Sequence, residues 1–368
     1  MTTIGIELPH GGRYDVVVGH GILPSLGERC RALGLGDRCA LIADAALTDG
    51  LAGVAADSLR AAGFEVLIVP YAAGEGGKNL TSVETLVGQM LEAGYDRGAW
   101  VTALGGGVVG DLGGFVAASF LRGVDVVQVP TTILAQVDAS IGGKTAVNHP
   151  LGKNLIGAFH PPRLVLSDTN ALRSLPRTEV VSGLAEVVKH GIIRDAELFG
   201  FLEERIEGVA DMKIDATELD WLIARNAQIK AEVVSADERE GGLRAILNYG
   251  HTIGHAIEAA TAYKRYRHGE AVLLGMIAAG ELAANRGLWE SAAERERHDA
   301  LIERLGVPEG VGQVDAATIA ERTKSDKKRI GGRHRFVLAR RIGAVDVVDG
   351  VEDDQVRATI EALQARCG

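Results

Sequence analysis

The stretch Ala99-Trp100-Val101-Thr102-Ala103-Leu104-Gly105-Gly106-Gly107-Val108-Val109-Gly110-Asp111 decides the reading of the fold. Its first six residues form a short apolar run suited to a strand buried on both faces. A glycine turn follows, and Leu112 to Phe120 reads as a helix rich in small residues. A strand, a glycine turn and a helix N-terminus make a pyrophosphate site, because free backbone N–H groups and the helix dipole face the anion. Gly105, Gly107 and Gly110 satisfy G-x-G-x-x-G, but in a chain with 48 glycines that match alone carries little weight. The dinucleotide fingerprint also opens the first strand-to-helix turn of its domain, with a ribose-binding acid about 20 residues later, and neither condition is met here. The plainer reading is close packing of helix on strand through Gly113 and Gly114.

Two more stretches lie just downstream: Pro130-Thr131-Thr132, and Asp138-Ala139-Ser140-Ile141-Gly142-Gly143-Lys144-Thr145. Glycines let backbone approach a ligand, and the neighbouring hydroxyls, aspartate and lysine supply polar contacts. Together the three stretches point to a phosphate-bearing cofactor and a charged substrate held close together.

Outward from this region the chain changes character near residue 168. Before it, β-rich runs at Tyr14–Val18, Cys39–Ala43, Glu65–Val69, Trp100–Leu104 and Val124–Val129 alternate with helical patterns such as Leu80–Ala93, which predicts a mainly parallel sheet covered by helices. After it the patterns are helical almost throughout: Arg177–Ile206, Thr217–Ser235, Tyr249–Ala262, Glu270–Arg286, Ala292–Leu305, Ala316–Thr323 and Asp353–Ala365, with one β-like stretch at Arg335–Ala339. The expected domains are 1–167 and 168–368.

A chain of 368 residues, 46% hydrophobic and 24% charged, is ordinary for a globular protein. The N-terminus lacks a basic segment followed by an apolar run, and the longest apolar stretch, around Ala271 to Gly280, stops at Glu281, so neither a signal peptide nor a membrane span is expected. Cys30, Cys39 and Cys367 lack metal-ligand spacing, and an odd count fits a reducing cytoplasm. A net charge of −10 argues against nucleic acid as a partner. Between Arg122 and His190, however, seven Lys/Arg face five Asp/Glu, enough for a local anion site.

The helical half supplies candidate metal ligands on three segments. Glu186 lies in Gly183-Leu184-Ala185-Glu186-Val187-Val188-Lys189-His190, sharing a face with Lys189; His251 and His255 share another by i,i+4 spacing; His268 opens the next helix. One carboxylate with two imidazoles suits a catalytic Zn²⁺ or similar ion. Taken singly, each has a plainer reading. A helical His pair is more often structural, the lysines Lys144, Lys153, Lys189 and Lys230 are ordinary surface residues, and Asp138 caps a turn.

What overrides those separate readings is their joint occurrence. Gly105 to Lys189, Leu243-Arg244-Ala245-Ile246-Leu247-Asn248-Tyr249-Gly250-His251-Thr252-Ile253-Gly254-His255 and Asp326-Lys327-Lys328 closely resemble the 3-dehydroquinate synthase family, within the sugar-phosphate cyclases. Long strings carry the likeness, among them Val129-Pro130-Thr131-Thr132-Ile133-Leu134-Ala135-Gln136-Val137-Asp138 and Gly152-Lys153-Asn154-Leu155-Ile156-Gly157-Ala158-Phe159.

The resemblance implies an α/β N-terminal Rossmann-like domain with a mainly parallel sheet that binds NAD, followed by a mainly α-helical domain for metal and substrate. It implies a phosphate-eliminating carbon–oxygen lyase of the shikimate pathway, using NAD⁺ and Zn²⁺, with Co²⁺ as a substitute. In that scheme Glu186, His251 and His268 hold the metal. Asp44, Glu75, Lys78, Gly106, Gly107, Val108, Asp111, Thr131 and Thr132 match the family's NAD contacts, and Lys144 and Lys153 are assigned to both cofactor and substrate. Lys144, Lys153, Asn154, Lys189, Lys230, Arg244, Asn248, His255 and Lys327 match its substrate pocket, and Asp138 a residue near metal and nicotinamide. Arg122 matches one that reaches the phosphate in a neighbouring subunit, which implies a homodimer. Glu75-Gly76-Gly77-Lys78, Ala146 and His190 depart from the usual family wording without removing a needed group. The rivals are a sibling cyclase acting on the amino analogue or on a sedoheptulose phosphate, a metal-dependent polyol dehydrogenase that would release NADH, and an inactive sugar-phosphate-binding regulator. Retention of Lys230, Arg244 and Asn248 favours a substrate with a carboxylate.

Overall fold

The structure, a computed structural model, describes residues 1–72, 74–324 and 334–368. In chain order the strands are β1 (Thr2–Glu7), β2 (Arg13–Gly19), β3 (Arg38–Asp44), β4 (Glu65–Tyr71), β5 (Trp100–Gly105), β6 (Val126–Pro130), β7 (Lys144–His149), β8 (Gly152–Phe159), β9 (Leu164–Asp168), β10 (His334–Arg341) and β11 (Ala344–Val351). The α-helices are α1 (Leu26–Ala32), α2 (Gly53–Ala61), α3 (Leu80–Glu92), α4 (Gly107–Ser119), α5 (Arg177–Arg194), α6 (Ala196–Ala210), α7 (Ala216–Ala236), α8 (His251–Ala260), α9 (His268–Asn285), α10 (Ala292–Arg304), α11 (Ala316–Lys324) and α12 (Asp353–Cys367). They form two compact units, Met1–Leu175 with Asp215–Glu238, and Pro176–Ile214 with Arg239–Gly368.

The first unit is built on a seven-stranded sheet in the order β1-β2-β9-β6-β5-β3-β4, parallel except for β1 against β2. All of β5 is buried, as its apolar run predicts. Trp100 and Leu104 join the core beneath α1 and α2, while Val101 joins the one beneath α3 and α4. That is the period-two alternation of a strand covered on both faces. The register pairs Ala43 with Leu104, Gly105 with Pro130 and Asp44 with Tyr71, so β3, β4, β5 and β6 end together along one edge.

Several elements depart from the sequence pattern. Helix α4 starts at Gly107, five residues before the expected Leu112, and the glycine that hides this first turn faces a neighbour: a Cβ on Gly110 would lie 2.9 Å from Gln128 Oε1. Helix α7, expected with the helical half, packs on β1 and β2 in the first unit. An amphipathic pattern says that one face is buried, not against what. Strand β1 shows only Ile4 and Ile6 inward, and in the β7–β8 hairpin Leu155 and Phe159 are exposed, so neither reads as a buried run.

In the second unit the single helix expected over Arg177–Ile206 is two. Asp195 leaves helical geometry and its carboxylate accepts from the Glu197 and Leu198 amides, ending α5 and capping α6. Helix α5 is buried continuously from Val180 to Ile193. Close backbone contacts fix α8 and α9 to each other and α9 to α5. A Cβ on Gly275 would lie 1.9 Å from the Gly250 carbonyl oxygen, and one on Gly269 would lie 2.1 Å from that of Ser182. Strand β10 pairs with a strand the pattern did not predict, β11, whose residues are mostly half-buried or exposed.

Gly275→Ala is therefore expected to destabilise the protein by about 3 kcal/mol, the upper range for overpacking. Gly200→Ala, in α6 with open space around it, is expected to be neutral or slightly stabilising. Urea unfolding of both variants checks the contrast.

Candidate active site

In the first unit the candidate cofactor residues gather at the common edge of the parallel strands, where open α/β sheets bind ligands. Asp44 ends β3, Glu75 and Lys78 follow β4, Gly106 to Val108 follow β5, and Thr131 and Thr132 follow β6. With Gly106 as N-cap, the amides of Gly107, Val108 and Val109 have no carbonyl four residues back inside the helix, so α4 presents donors at this edge. The Thr131 amide donates to Gly105 O at 2.9 Å, joining two of these loops.

A polar cluster closes the same edge. Lys78, almost fully buried, donates to Asp111 Oδ2 at 2.5 Å and Asn154 Oδ1 at 2.6 Å. Burial pushes the Asp111 carboxyl up, against the pull of Lys78. Asn148, on β7, donates to Glu75 Oε1 at 2.9 Å. Lys230 reaches from α7 to Asp138, donating to its backbone oxygen and to Oδ1 at 2.6 Å. Lys144 is exposed at the start of β7, and Lys153 is half-buried on β8. Arg122 does not join this group. It lies just past the far end of α4, about 20 Å along the axis from Gly107 at 1.5 Å per residue, and is exposed with φ +76°.

In the second unit Glu186 is fully buried on α5, its Oε2 paired with the buried ammonium of Lys189. Its Oε1 accepts no hydrogen bond among the described residues, yet His251 Nε2 lies 3.3 Å away and His268 Nε2 3.4 Å away. Bonds of 2.0–2.2 Å at tetrahedral angles put ligand atoms about 3.3–3.6 Å apart, so each imidazole nitrogen stands from Glu186 Oε1 at the spacing of two ligands on one ion. Each ring's other nitrogen is held: His251 Nδ1 faces the Tyr249 carbonyl at 3.0 Å, and His268 Nδ1 faces Glu258 Oε2 at 3.3 Å. Those partners favour a proton on Nδ1 and leave Nε2 free to ligate. His255 stands beside them, its ring centroid 5.1 Å from that of His251. The arrangement can hold a divalent ion of Zn²⁺ type.

Electrostatics agree with the geometry. Burial alone would raise the Glu186 carboxyl, but Lys189 and His251 outweigh it and hold it well below the usual range. Burial lowers His251. Burial also works against charge on His268, yet the carboxylates of Glu186 and Glu258 beside it lift it to about 10. Arg244 is buried, and Asn248 Nδ2 donates to Glu240 Oε1 at 2.6 Å. Lys327 lies outside the described residues. Sequence reasoning missed Glu258, Glu240 and Asn148. A buried carboxylate two helical turns after His251 was the available signal for the first.

Residues 68–182 match the family model described as 3-dehydroquinate synthase N-terminal, and 183–329 match the 3-dehydroquinate synthase C-terminal model. The 3-dehydroquinate synthase of Nostoc punctiforme is 46% identical over 98% of this chain and 99% of its own. The chain belongs to the 3-dehydroquinate synthase family. A solved structure of 2-epi-5-epi-valiolone synthase from Streptomyces hygroscopicus subsp. jinggangensis, with NAD⁺ and Zn²⁺ bound, is similar to this family member at a TM-score of 0.87 and 30% identity, covering 96% of this chain and 97% of the other. A 2-deoxy-scyllo-inosose synthase complexed with carbaglucose-6-phosphate, NAD⁺ and Co²⁺ gives 0.85 and 27%, covering 98% and 99%.

Two outcomes follow for the histidine site. In metal-free protein His268 is protonated at neutral pH, so metal uptake releases a proton. Because its folded value lies above the ordinary 6.5, the stability it contributes is complete below pH 6.5 and is lost as pH rises to about 10. Glu258→Ala is expected to weaken Zn²⁺ binding about 10- to 100-fold. Calorimetric Zn²⁺ titration in buffers of differing ionisation heat, near neutral pH, measures both.

Proposed function

We propose that this chain is a 3-dehydroquinate synthase, converting 3-deoxy-D-arabino-heptulosonate 7-phosphate to 3-dehydroquinate and inorganic phosphate. The sequence is oxidation at C5, β-elimination of phosphate, re-reduction, ring opening and intramolecular aldol closure. The observation that carries this reading is the convergence of Glu186 Oε1 with the Nε2 atoms of two imidazoles whose Nδ1 atoms are held by other partners, in a family member 46% identical to curated synthases over nearly its whole length. Bound NAD⁺ supplies a hydride acceptor regenerated within each turnover, and Zn²⁺, or Co²⁺ in its stead, bound to Glu186, His251 and His268 supplies a Lewis acid for the hydroxyl being oxidised.

The chain's own residues do the rest. Asp44 and Glu75 suit adenosine or ribose hydroxyls, and the amides opening α4, with Thr131 and Thr132, suit the pyrophosphate. Lys144, Lys153, Asn154, Lys189, Lys230, Arg244, Asn248 and Lys327 bind the carboxylate and phosphate ends of the substrate and orient its ring. Lys189 also keeps Glu186 ionised, and Asp138 holds Lys230 in place. The departing phosphate takes the proton from the neighbouring carbon, leaving His255 to hydrogen-bond and relay protons.

The enzyme is read as a homodimer, which the separation of Arg122 from its own chain's sheet edge supports: there it serves a neighbouring subunit's phosphate. The cytoplasm fits three free thiols, and no helix among the described residues is long and apolar enough to cross a membrane. The amino analogue of the substrate is the second reading, since it keeps the carboxylate that Lys230, Arg244 and Asn248 favour.

Protein with NAD⁺, Zn²⁺ and 3-deoxy-D-arabino-heptulosonate 7-phosphate is expected to give dehydroquinate and phosphate in equal amounts with no net NADH. Accumulating NADH would replace this reading with a dehydrogenase. Silence here, with turnover of the amino analogue or of sedoheptulose 7-phosphate, would identify a sibling cyclase.

A further inference from the structure

Asn148 uses both ends of its side-chain amide and its backbone N–H to join two loops that the proposed chemistry keeps apart. Its Nδ2 donates to Glu75 Oε1 at 2.9 Å and to Glu75 O at 3.0 Å. Its backbone N–H donates to Lys78 O at 2.8 Å. Its Oδ1 accepts from the Asn154 amide at 2.9 Å. Asn154 is a non-glycine residue at φ +54°, a conformation that costs energy unless its surroundings hold it. A second strut runs alongside, since buried Lys78 spans Asp111 and Asn154. One side of this stitch carries Glu75 and Lys78, on the nucleotide side. The other carries Asn154, on the substrate side, and Lys153, assigned to both ligands.

We infer that Asn148 is a positioning residue through which nucleotide binding at Glu75 and Lys78 orders the Lys153–Asn154 anion-binding turn. An amide can do this where other side chains cannot. It donates to the carboxylate and carbonyl of Glu75 while accepting from Asn154, so its plane is fixed by both loops together. When a nucleotide holds the Glu75 carboxylate, the Asn148 amide loses freedom, and with it the Asn154 backbone. Part of the ordering cost of anion binding is then met before the anion arrives, which makes the two ligands cooperative. Replacing Asn148 by Asp keeps the acceptor toward Asn154 but removes both donors and sets a carboxylate against Glu75.

The inference rests on the proposed use of NAD⁺, and hydrogen exchange separates the two. In wild-type protein, saturating NAD⁺ is expected to slow amide exchange at least threefold in residues 104–110, which report the nucleotide itself, and also in residues 149–156. In Asn148→Ala, and in Asn148→Asp should the first fail to fold, saturating NAD⁺ is expected to protect 104–110 but not 149–156, with nucleotide affinity about tenfold weaker. Wild-type protection confined to 104–110 overturns the inference and leaves the function intact. So does a variant in which 149–156 is still protected. No protection in either segment of wild-type protein removes NAD⁺ binding, and the inference with it.

Discussion

A carboxylate sealed from water must be met by positive charge, and Glu186 imposes that condition on the second unit. At the centre of a helix buried for most of its length, it stays ionised because Lys189 faces one oxygen and two imidazoles face the other. Those imidazoles come from the first residues of α8 and α9, so helix packing must bring both helix starts to α5. Glycines do this where side chains would not fit: Gly275 against Gly250, and Gly269 against Ser182. The Tyr249 carbonyl and the Glu258 carboxylate then turn the rings so that their free nitrogens converge. Packing, tautomer and charge serve one small volume.

The first unit solves a different problem, presenting donors to an anionic cofactor. Parallel strands ending in register put four loops along one edge, and α4 begins there with its unbonded amides. The hairpin of β7 and β8 adds Lys144, Lys153 and Asn154, proposed to bind substrate, to the same unit and is tied back through Lys78 and Asn148.

Much of this was legible in the sequence because it rests on local rules. The buried run Trp100–Leu104 and the alternation around it gave the parallel sheet, and helical spacing gave the His251/His255 pair. Glu186 and His268 stood out as candidate ligands, but the choice of Glu186, His251 and His268 as the set, and any role for the lysines, came only through resemblance to a family, since contacts between distant segments leave no periodic trace. The pattern failed where tertiary context decides. Examples are the break at Asp195, where a single cap ends one helix and starts another, the assignment of α7 to the sheet-bearing unit, and the strands β1, β8 and β11, whose exposed residues hide the alternation. Asn148 was invisible for the same reason, and Glu258 was marked only by its place two turns after His251: each acts on another residue's side chain or loop.

The central claim is that Glu186 Oε1 and the Nε2 atoms of His251 and His268 share one ion. Zinc K-edge absorption spectroscopy of protein loaded with one Zn²⁺ per chain tests it most directly. The account predicts only oxygen and nitrogen neighbours at about 2.0–2.2 Å, with two imidazoles in the scattering pattern, and loss of that spectrum in Glu186→Gln. Sulfur at about 2.3 Å, or an unchanged spectrum in that variant, would contradict it.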